Sequence, residues 1–292
     1  VEDMGSWGPS DRYKEDFHFN FKLKAGSPVS VENFNGSVEI VAWEKDEVEV
    51  NGTKYAGSEE LLKEIKIDVD SQPASLKIRT LRPEGRRGNM GAKYTLRVPR
   101  KVLLDGIVSS NGSIRVEGTE GDARLQSSNG SIRVMRLDGN LEAKTSNSAI
   151  EASRVNGNFV GRSSNGSIKV DGLRGGFEAE TSNSSIVARV EKLAAGNVVR
   201  AKSSNGSIDL SLPDYKGQEI DAESSNSSVS LKLPANADAE LRASTSNGKI
   251  SSDFDVAMTG SISKNRLDGK IGKGGSLVRL NSSNGSIRVE KL

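Results

Sequence analysis

The feature that most constrains this chain is a short motif, Ser-x-Asn-Gly/Ser-x-Ile/Val, that returns at nearly fixed intervals. It is centred on Asn111, Asn129, Asn147, Asn165 and Asn183 at steps of 18 residues. It continues at Asn205, Asn226 and Asn247 at steps of 22, 21 and 21. A last copy lies at Asn284, 37 residues on. The degenerate unit Leu267-Asp268-Gly269-Lys270-Ile271 fills that gap, and an isolated early copy runs from Asn33 to Val38. A unit this short cannot bury an apolar face alone, so stacked neighbours must bury it together.

Each unit reads as turn, strand, turn, strand. Gly121, Gly139, Gly157 and Gly175 keep the register of the second turn. Ile114 and Val116 are the inward pair of one strand and Ala123 and Leu125 that of the other, spaced by two as a strand requires. On the second strand a large residue always accompanies a small one: Ala123/Leu125, Leu141/Ala143, Phe159/Gly161, Phe177/Ala179. A thin interior of constant width needs that compensation, because voids and overpacking both cost stability. On the first strand, Ile/Val pairs follow Asn-Gly turns and Ile/Ala pairs follow Asn-Ser turns, a 36-residue pattern over the 18-residue one. The outward rows Arg115, Arg133, Glu151, Lys169 and Arg124, Glu142, Val160, Glu178 mix signs, as a solvated face does.

These patterns predict an all-β fold, a parallel β-helix (solenoid) with coils of about 18–22 residues. Gly supplies turn conformations closed to other residues, and Asn tolerates them. Stacked Asn side chains hydrogen-bond from coil to coil in such arrays. The expected turn ladder is Asn111, Asn129, Asn147, Asn165, Asn183, Asn205, Asn226, Asn247 and Asn284. Ser127, Thr145, Ser163 and Thr181 fall on the inward parity, which predicts a second, hydroxyl ladder. Asn35, Asn51, Asn111, Asn129, Asn165, Asn183, Asn205, Asn226 and Asn284 also open Asn-x-Ser/Thr glycosylation sequons. Asn147 and Asn247 hold the same place without one, so turn chemistry explains the residues better.

The chain divides into a β-rich capping region, residues 1–105, and the solenoid, residues 106–292. Residues 1–12 read as a flexible lead-in. Strands are expected at Phe17–Leu23, Pro28–Glu32, Ser37–Trp43, Val48–Tyr55, Ile65–Val69, Ser75–Thr80 and Lys93–Val98. One short helix, Ser58–Ile65, has Ser58 as N-cap. The capping region would enter the stack through Tyr94–Arg100. The C-terminus, Val289–Leu292, would leave an open edge.

Composition removes several function classes. Lys+Arg is 41 against Asp+Glu 39, a net charge of +2, so no nucleic acid is expected as partner. Aromatics are 4% and hydrophobic residues 34%, low for an enzyme core. There is no cysteine and a single histidine, His18, so no common zinc or triad site is expected, and no catalytic, metal or cofactor residue is assigned. No apolar run is long enough for a membrane span. A β-helix enzyme acting on polysaccharide would need clustered carboxylates and aromatic platforms. Trp7 and Trp43 both lie outside the repeats, and Tyr215 is the one Tyr or Trp within them.

Val31-Glu-Asn-Phe-Asn-Gly-Ser-Val-Glu-Ile-Val-Ala-Trp43, Lys93-Tyr-Thr-Leu-Arg-Val-Pro99 and the Ser-x-Asn-Gly-Ser-Ile series together carry a resemblance. Over roughly residues 20–292 the chain resembles the bacterial putative-adhesin family of repetitive β-solenoid proteins, long catalogued as a domain of unknown function. The resemblance implies a parallel β-helix, export and a surface or adhesive role, with no catalytic residues to carry over. The expected localisation is secreted, cell-surface or periplasmic. The chain begins at Val1 rather than Met, as a processed mature protein or a trimmed sequence would. The expected function is a non-catalytic, adhesin-like binding module for surface glycans or proteins. The alternative is a subunit of an end-to-end filament whose partner is itself. For that alternative the candidate self-association strand is Phe17, Phe19, Phe21 and Leu23, apolar on one face.

Overall fold

The computed structural model describes residues 12–260 and 263–292, which form two compact units, Val1–Ser131 and Ile132–Leu292. The expected flexible lead-in therefore lies outside the described residues, except for Arg12.

The first unit runs β1 (Tyr13–Lys22), β2 (Pro28–Asn33), β3 (Val38–Trp43), β4 (Glu47–Ala56), α1 (Glu59–Glu64), β5 (Lys66–Gln72), β6 (Ser75–Leu81), β7 (Met90–Pro99), β8 (Leu103–Ser109), β9 (Ile114–Glu117) and β10 (Ala123–Ser127). Each predicted strand is present to within a few residues. The largest differences lie at β1 and β7, which begin earlier, and at β5, which ends later. Ser58 caps α1, its side chain accepting from the Leu61 N–H, and Leu62 is the buried helix residue. One sheet has the order β1-β4-β7-β3-β9 and the other β5-β6-β2-β8-β10.

The early copy of the motif is thus part of the parallel ladder, with β6 and β7 paired in parallel on its outer side. β3 pairs in parallel with β9, Val38 opposite Ile114, and β2 pairs in parallel with β8. β7 lies on the far side of β3. Tyr94–Pro99 thus stands in the parallel stack, as expected, but one place further out: β2 and β3 lie between the pair β6 and β7 and the strands β8 and β9 that follow them in the chain. Beyond β7 and β6 the pairing turns antiparallel, at β7–β4, β4–β1 and β6–β5. Such a sheet margin presents hairpins where a parallel repeat would present an open strand.

The second unit runs β11 (Ile132–Asp138), β12 (Leu141–Thr145), β13 (Ile150–Asn156), β14 (Phe159–Ser163), β15 (Ile168–Arg174), β16 (Phe177–Thr181), β17 (Ile186–Lys192), β18 (Val198–Ser203), β19 (Ile208–Ser211), β20 (Glu219–Ser224), β21 (Val229–Leu233), β22 (Ala239–Thr245), β23 (Ile250–Ser252), β24 (Val256–Met258), β25 (Arg266–Ile271), β26 (Leu277–Ser282) and β27 (Ile287–Lys291). Successive strands alternate between two sheets, and each pairs in parallel with its equivalent one repeat away. Ile132, Ile150, Ile168, Ile186, Ile208 and Val229 stand in one register row. The inward residues of both strands are almost wholly buried. The predicted volume compensation is realised: Phe159 stacks on Phe177 at 5.6 Å between ring centres, and a Cβ at Gly161 would lie 2.6 Å from the Phe159 ring.

At its far end the unit departs from sequence order. β27 pairs with β21 on one side and β23 on the other, while β26 lies between β20 and β22. The last repeat is inserted between two that precede it. The degenerate unit at 267–271 is β25, antiparallel to β22 and β24. The open edge expected at Val289–Leu292 does not exist: Ile287 and Val289 are buried in the stack, and the marginal strands are β23 and β24, three residues each.

Candidate functional site

The corner after the second strand of each repeat is built by three side chains with separate tasks. The inward Ser or Thr works first. Thr181 Oγ1 donates to the Gly166 carbonyl of the preceding repeat (2.9 Å), and Ser163 Oγ accepts from the Gly166 N–H (2.9 Å). Ser127, Ser203, Ser224, Thr245 and Ser282 make the same pair of bonds within their own units. Where a hydroxyl-to-hydroxyl ladder was expected, the structure ties the hydroxyls to backbone, on both sides at Ser127, Ser163, Ser203, Ser224, Thr245 and Ser282 and on one at Thr181. That satisfies buried donors and acceptors which stacked hydroxyls would leave open.

The Gly position follows. Its role is close approach rather than positive φ: a Cβ at Gly166 would lie 1.7 Å from the Ser148 carbonyl oxygen. Where Ser replaces Gly, at Ser148, Ser184 and Ser227, the carbonyl still accepts the hydroxyl of the next repeat.

The Asn residues point outward. Within the first unit Asn129 Nδ2 donates to Asn111 Oδ1 at 2.7 Å. Within the second, Asn165 donates to Asn147 (2.8 Å), Asn183 to Asn165 (2.6 Å), Asn205 to Asn183 (2.8 Å) and Asn226 to Asn205 (2.8 Å). The series then follows the inserted strand: Asn284 donates to Asn226 and Asn247 to Asn284, both at 2.7 Å. All of these side chains are exposed. Asn165, Asn183, Asn205, Asn226 and Asn284 each use one of two N–H donors and one oxygen lone pair in the row, leaving one of each for solvent or a ligand. At the sequon residues Asn129, Asn165, Asn183, Asn205, Asn226 and Asn284 the side-chain nitrogen is also a rung donor.

The outward strand faces carry both signs. Arg133 pairs with Glu151 (3.1 Å), Arg162 with Glu178 (3.3 Å) and Arg279 with Asp221 (3.5 Å). These exposed pairs add little stability but leave no single-sign surface along the rows.

The candidate association strand is placed differently from its remaining member. Phe17, Phe19 and Phe21 line one side of β1 and are half-buried, with ring centres 5.7 and 6.0 Å apart. Phe17 lies edge-on to Tyr94 at 5.4 Å and fills the space over Gly52. Leu23 lies beyond the strand and is 2% exposed. β1 pairs antiparallel with β4 from Tyr13 to Lys22, so its apolar row closes this unit's own core margin. Lys54 reinforces the closure with an ion pair to Glu15 (2.9 Å).

On the other face of β1, His18 Nδ1 meets Asn51 Oδ1 at 2.6 Å, Asn20 Nδ2 meets His18 Nε2 at 3.0 Å, and Thr53 donates to Asp16 at 2.7 Å. With Lys93 and Thr95 these residues line an open recess of about 470 Å³, which sequence reasoning missed because the three strands are far apart in the chain. Among the described residues no group of three or more His, Cys, Asp or Glu is arranged to hold a metal. Trp43 is engaged by Lys45 at 4.7 Å and Arg97 at 5.8 Å from its ring centre.

Two tyrosines have displaced ionisation. Burial pushes Tyr94 up to about 12, partly offset by its 2.6 Å hydrogen bond with Thr80. Burial, aided by the Asp238 carboxylate, pushes Tyr215 up to about 12. The Tyr215 hydroxyl is buried without a hydrogen-bond partner among the described residues.

No family model and no curated protein matches this chain. Among solved structures, a putative adhesin from Parabacteroides distasonis is 13% identical with a TM-score of 0.41, the match covering 94% of this chain and 97% of that one. A putative adhesin from Bacteroides fragilis is 15% identical with a TM-score of 0.35, over 94% and 97%. A putative lipid binding protein from Parabacteroides distasonis is 13% identical with a TM-score of 0.35, over 97% and 98%.

Proposed function

We propose that this chain is a non-catalytic, surface-exposed or secreted adhesin-like protein whose repeats wind as a parallel β-solenoid. The exposed row of Asn amides is its binding face, and extended surface glycans are its partners. The observation that carries this reading is the row itself. In the second unit Asn165, Asn183, Asn205, Asn226 and Asn284 each present an amide with a spare donor and a spare acceptor, at the strand spacing of about 4.8 Å. That is a flat, periodic, neutral hydrogen-bonding surface, suited to a polymer with regularly placed hydroxyls. The mixed-sign strand rows argue against nucleic acid. Trp43, with a cation over its ring, offers no free aromatic platform for a polysaccharide-cleaving site.

The test is a glycan and cell-surface binding screen of the purified protein beside an Asn165→Thr/Asn183→Thr/Asn205→Thr variant. The wild type should bind, and the variant, with its circular dichroism unchanged, should lose most of that binding. Undiminished binding by the folded variant would remove the Asn row from the site. Release of new reducing ends from a bound glycan would overturn the non-catalytic reading. An end-to-end filament is the second reading. The place of β1 as the last strand of its sheet among the described residues favours it, and the burial of Val289 inside the stack weighs against it.

A further inference from the structure

The slot that holds the last repeat has unusual walls. On one side stand β20 and β21, on the other β22 and β23. Among the described residues, the occupant Leu277–Leu292 is the one segment whose strands pair with both sides. It fills the slot completely. Val278, Leu280, Ile287 and Val289 are at most 1% exposed. Ser282 donates to the Ser227 carbonyl at 2.9 Å, Thr245 donates to the Gly285 carbonyl at 2.8 Å, and the Leu292 N–H bonds to Leu233 at 2.9 Å. Without the segment, two pairs of strand edges backed by Ile220, Ala222, Leu231 and Leu241 would lie open. Unpaired backbone beside apolar rows does not stay empty.

The connection that leads into the segment is rich in glycine. The segment follows the preceding strands through Gly272-Lys273-Gly274-Gly275-Ser276, with Gly272 at φ +58° and Gly274 at +77°. Three glycines in five residues give this connection wide conformational freedom, as a hinge needs. Asp238 anchors it, its carboxylate accepting the Lys273 N–H at 2.7 Å.

We propose that the slot also accepts residues 277–292 of a second copy of this chain, so that copies join by exchanging their last repeat. The incoming segment is identical to the native one and recovers every slot contact, so closed and exchanged forms differ only in the hinge and in concentration. This interface is separate from the Asn row and does not depend on what that row binds.

The chain has no cysteine, so paired substitutions report the exchange cleanly. Ser230 and Arg288 are register partners on outward faces of β21 and β27. Neighbouring strands lie within the reach of a disulfide. Full-length S230C/R288C, refolded in dilute solution and oxidised, should close an intrachain disulfide as a monomer; failure to do so would overturn the inserted position itself. Full-length S230C and R288C are then unfolded, mixed, refolded together at high concentration and oxidised. The expected product is a dimer linked between positions 230 and 288. Its yield should be several-fold above a mismatched S230C and R133C mixture and should rise with refolding concentration. A yield no higher than the mismatched pair, a chain monomeric by light scattering at every concentration, or a dimer without the 230–288 link would each overturn the proposal.

Discussion

Single residues carry the corners of this fold, and their chemistry can be tested one at a time. Gly166 rests against the Ser148 carbonyl, with 1.7 Å available where a Cβ would stand. Gly166→Ala should therefore destabilise by about 2–4 kcal/mol in urea unfolding, toward the severe end for a single substitution. Arg136 and Arg154 occupy a corner at φ 54° where Gly118 and Gly172 stand in the neighbouring repeats. Arg154→Gly should relieve left-handed strain and raise stability by up to about 1 kcal/mol, measured the same way. Tyr215 buries a hydroxyl that has no partner among the described residues. Tyr215→Phe should leave stability at neutral pH unchanged or raise it by up to about 1 kcal/mol.

At the scale of strands, most of the architecture was legible, because a period of two inside a period of 18 fixes both strand positions and inward faces. Ser58 likewise marked the start of the helix. The order of strands was not legible. Every repeat presents the same inward pattern and the same turn, so any of them fits beside any other, and sequence adjacency was the default. One signal did bear on it. The Asn247 repeat continues Ile250-Ser251-Ser252, whereas the Asn284 repeat continues Ile287-Arg288-Val289. A polar residue at the second inward position suits a margin, and Val suits an interior. The structure places them so, with Ile287 wholly buried and Ile250 half-buried. Ile287→Ala should then cost about 2–5 kcal/mol and Ile250→Ala clearly less, a contrast that sequence order alone would reverse. The Asn row was legible as turn chemistry, but its order through Asn226, Asn284 and Asn247 depends on the insertion. The recess around His18 was invisible, since residues 16–20, 51–53 and 93–95 meet only through antiparallel pairings.

For the whole chain, charge is nearly balanced, and the marked pH response comes from the buried tyrosines. Both are held neutral up to about 12, against about 10 for an unfolded tyrosine. Their stabilisation is complete below about pH 10 and is lost as pH rises through about 12, because the unfolded chain releases its protons first. Urea midpoints should therefore fall steeply over that window, and Tyr215→Phe should flatten the fall in the unit that contains it. Folding order follows from the pairings too. Closing β21 onto β27 spans 58 residues where a regular step spans 18, an added entropy cost of about 1 kcal/mol. The middle repeats should form before the last is sealed in. That seal has a mechanical side. A marginal strand under tension peels away from one neighbour, bond by bond. β27 is gripped on both edges, so a pull applied at Leu292 must break two ladders together before the chain yields.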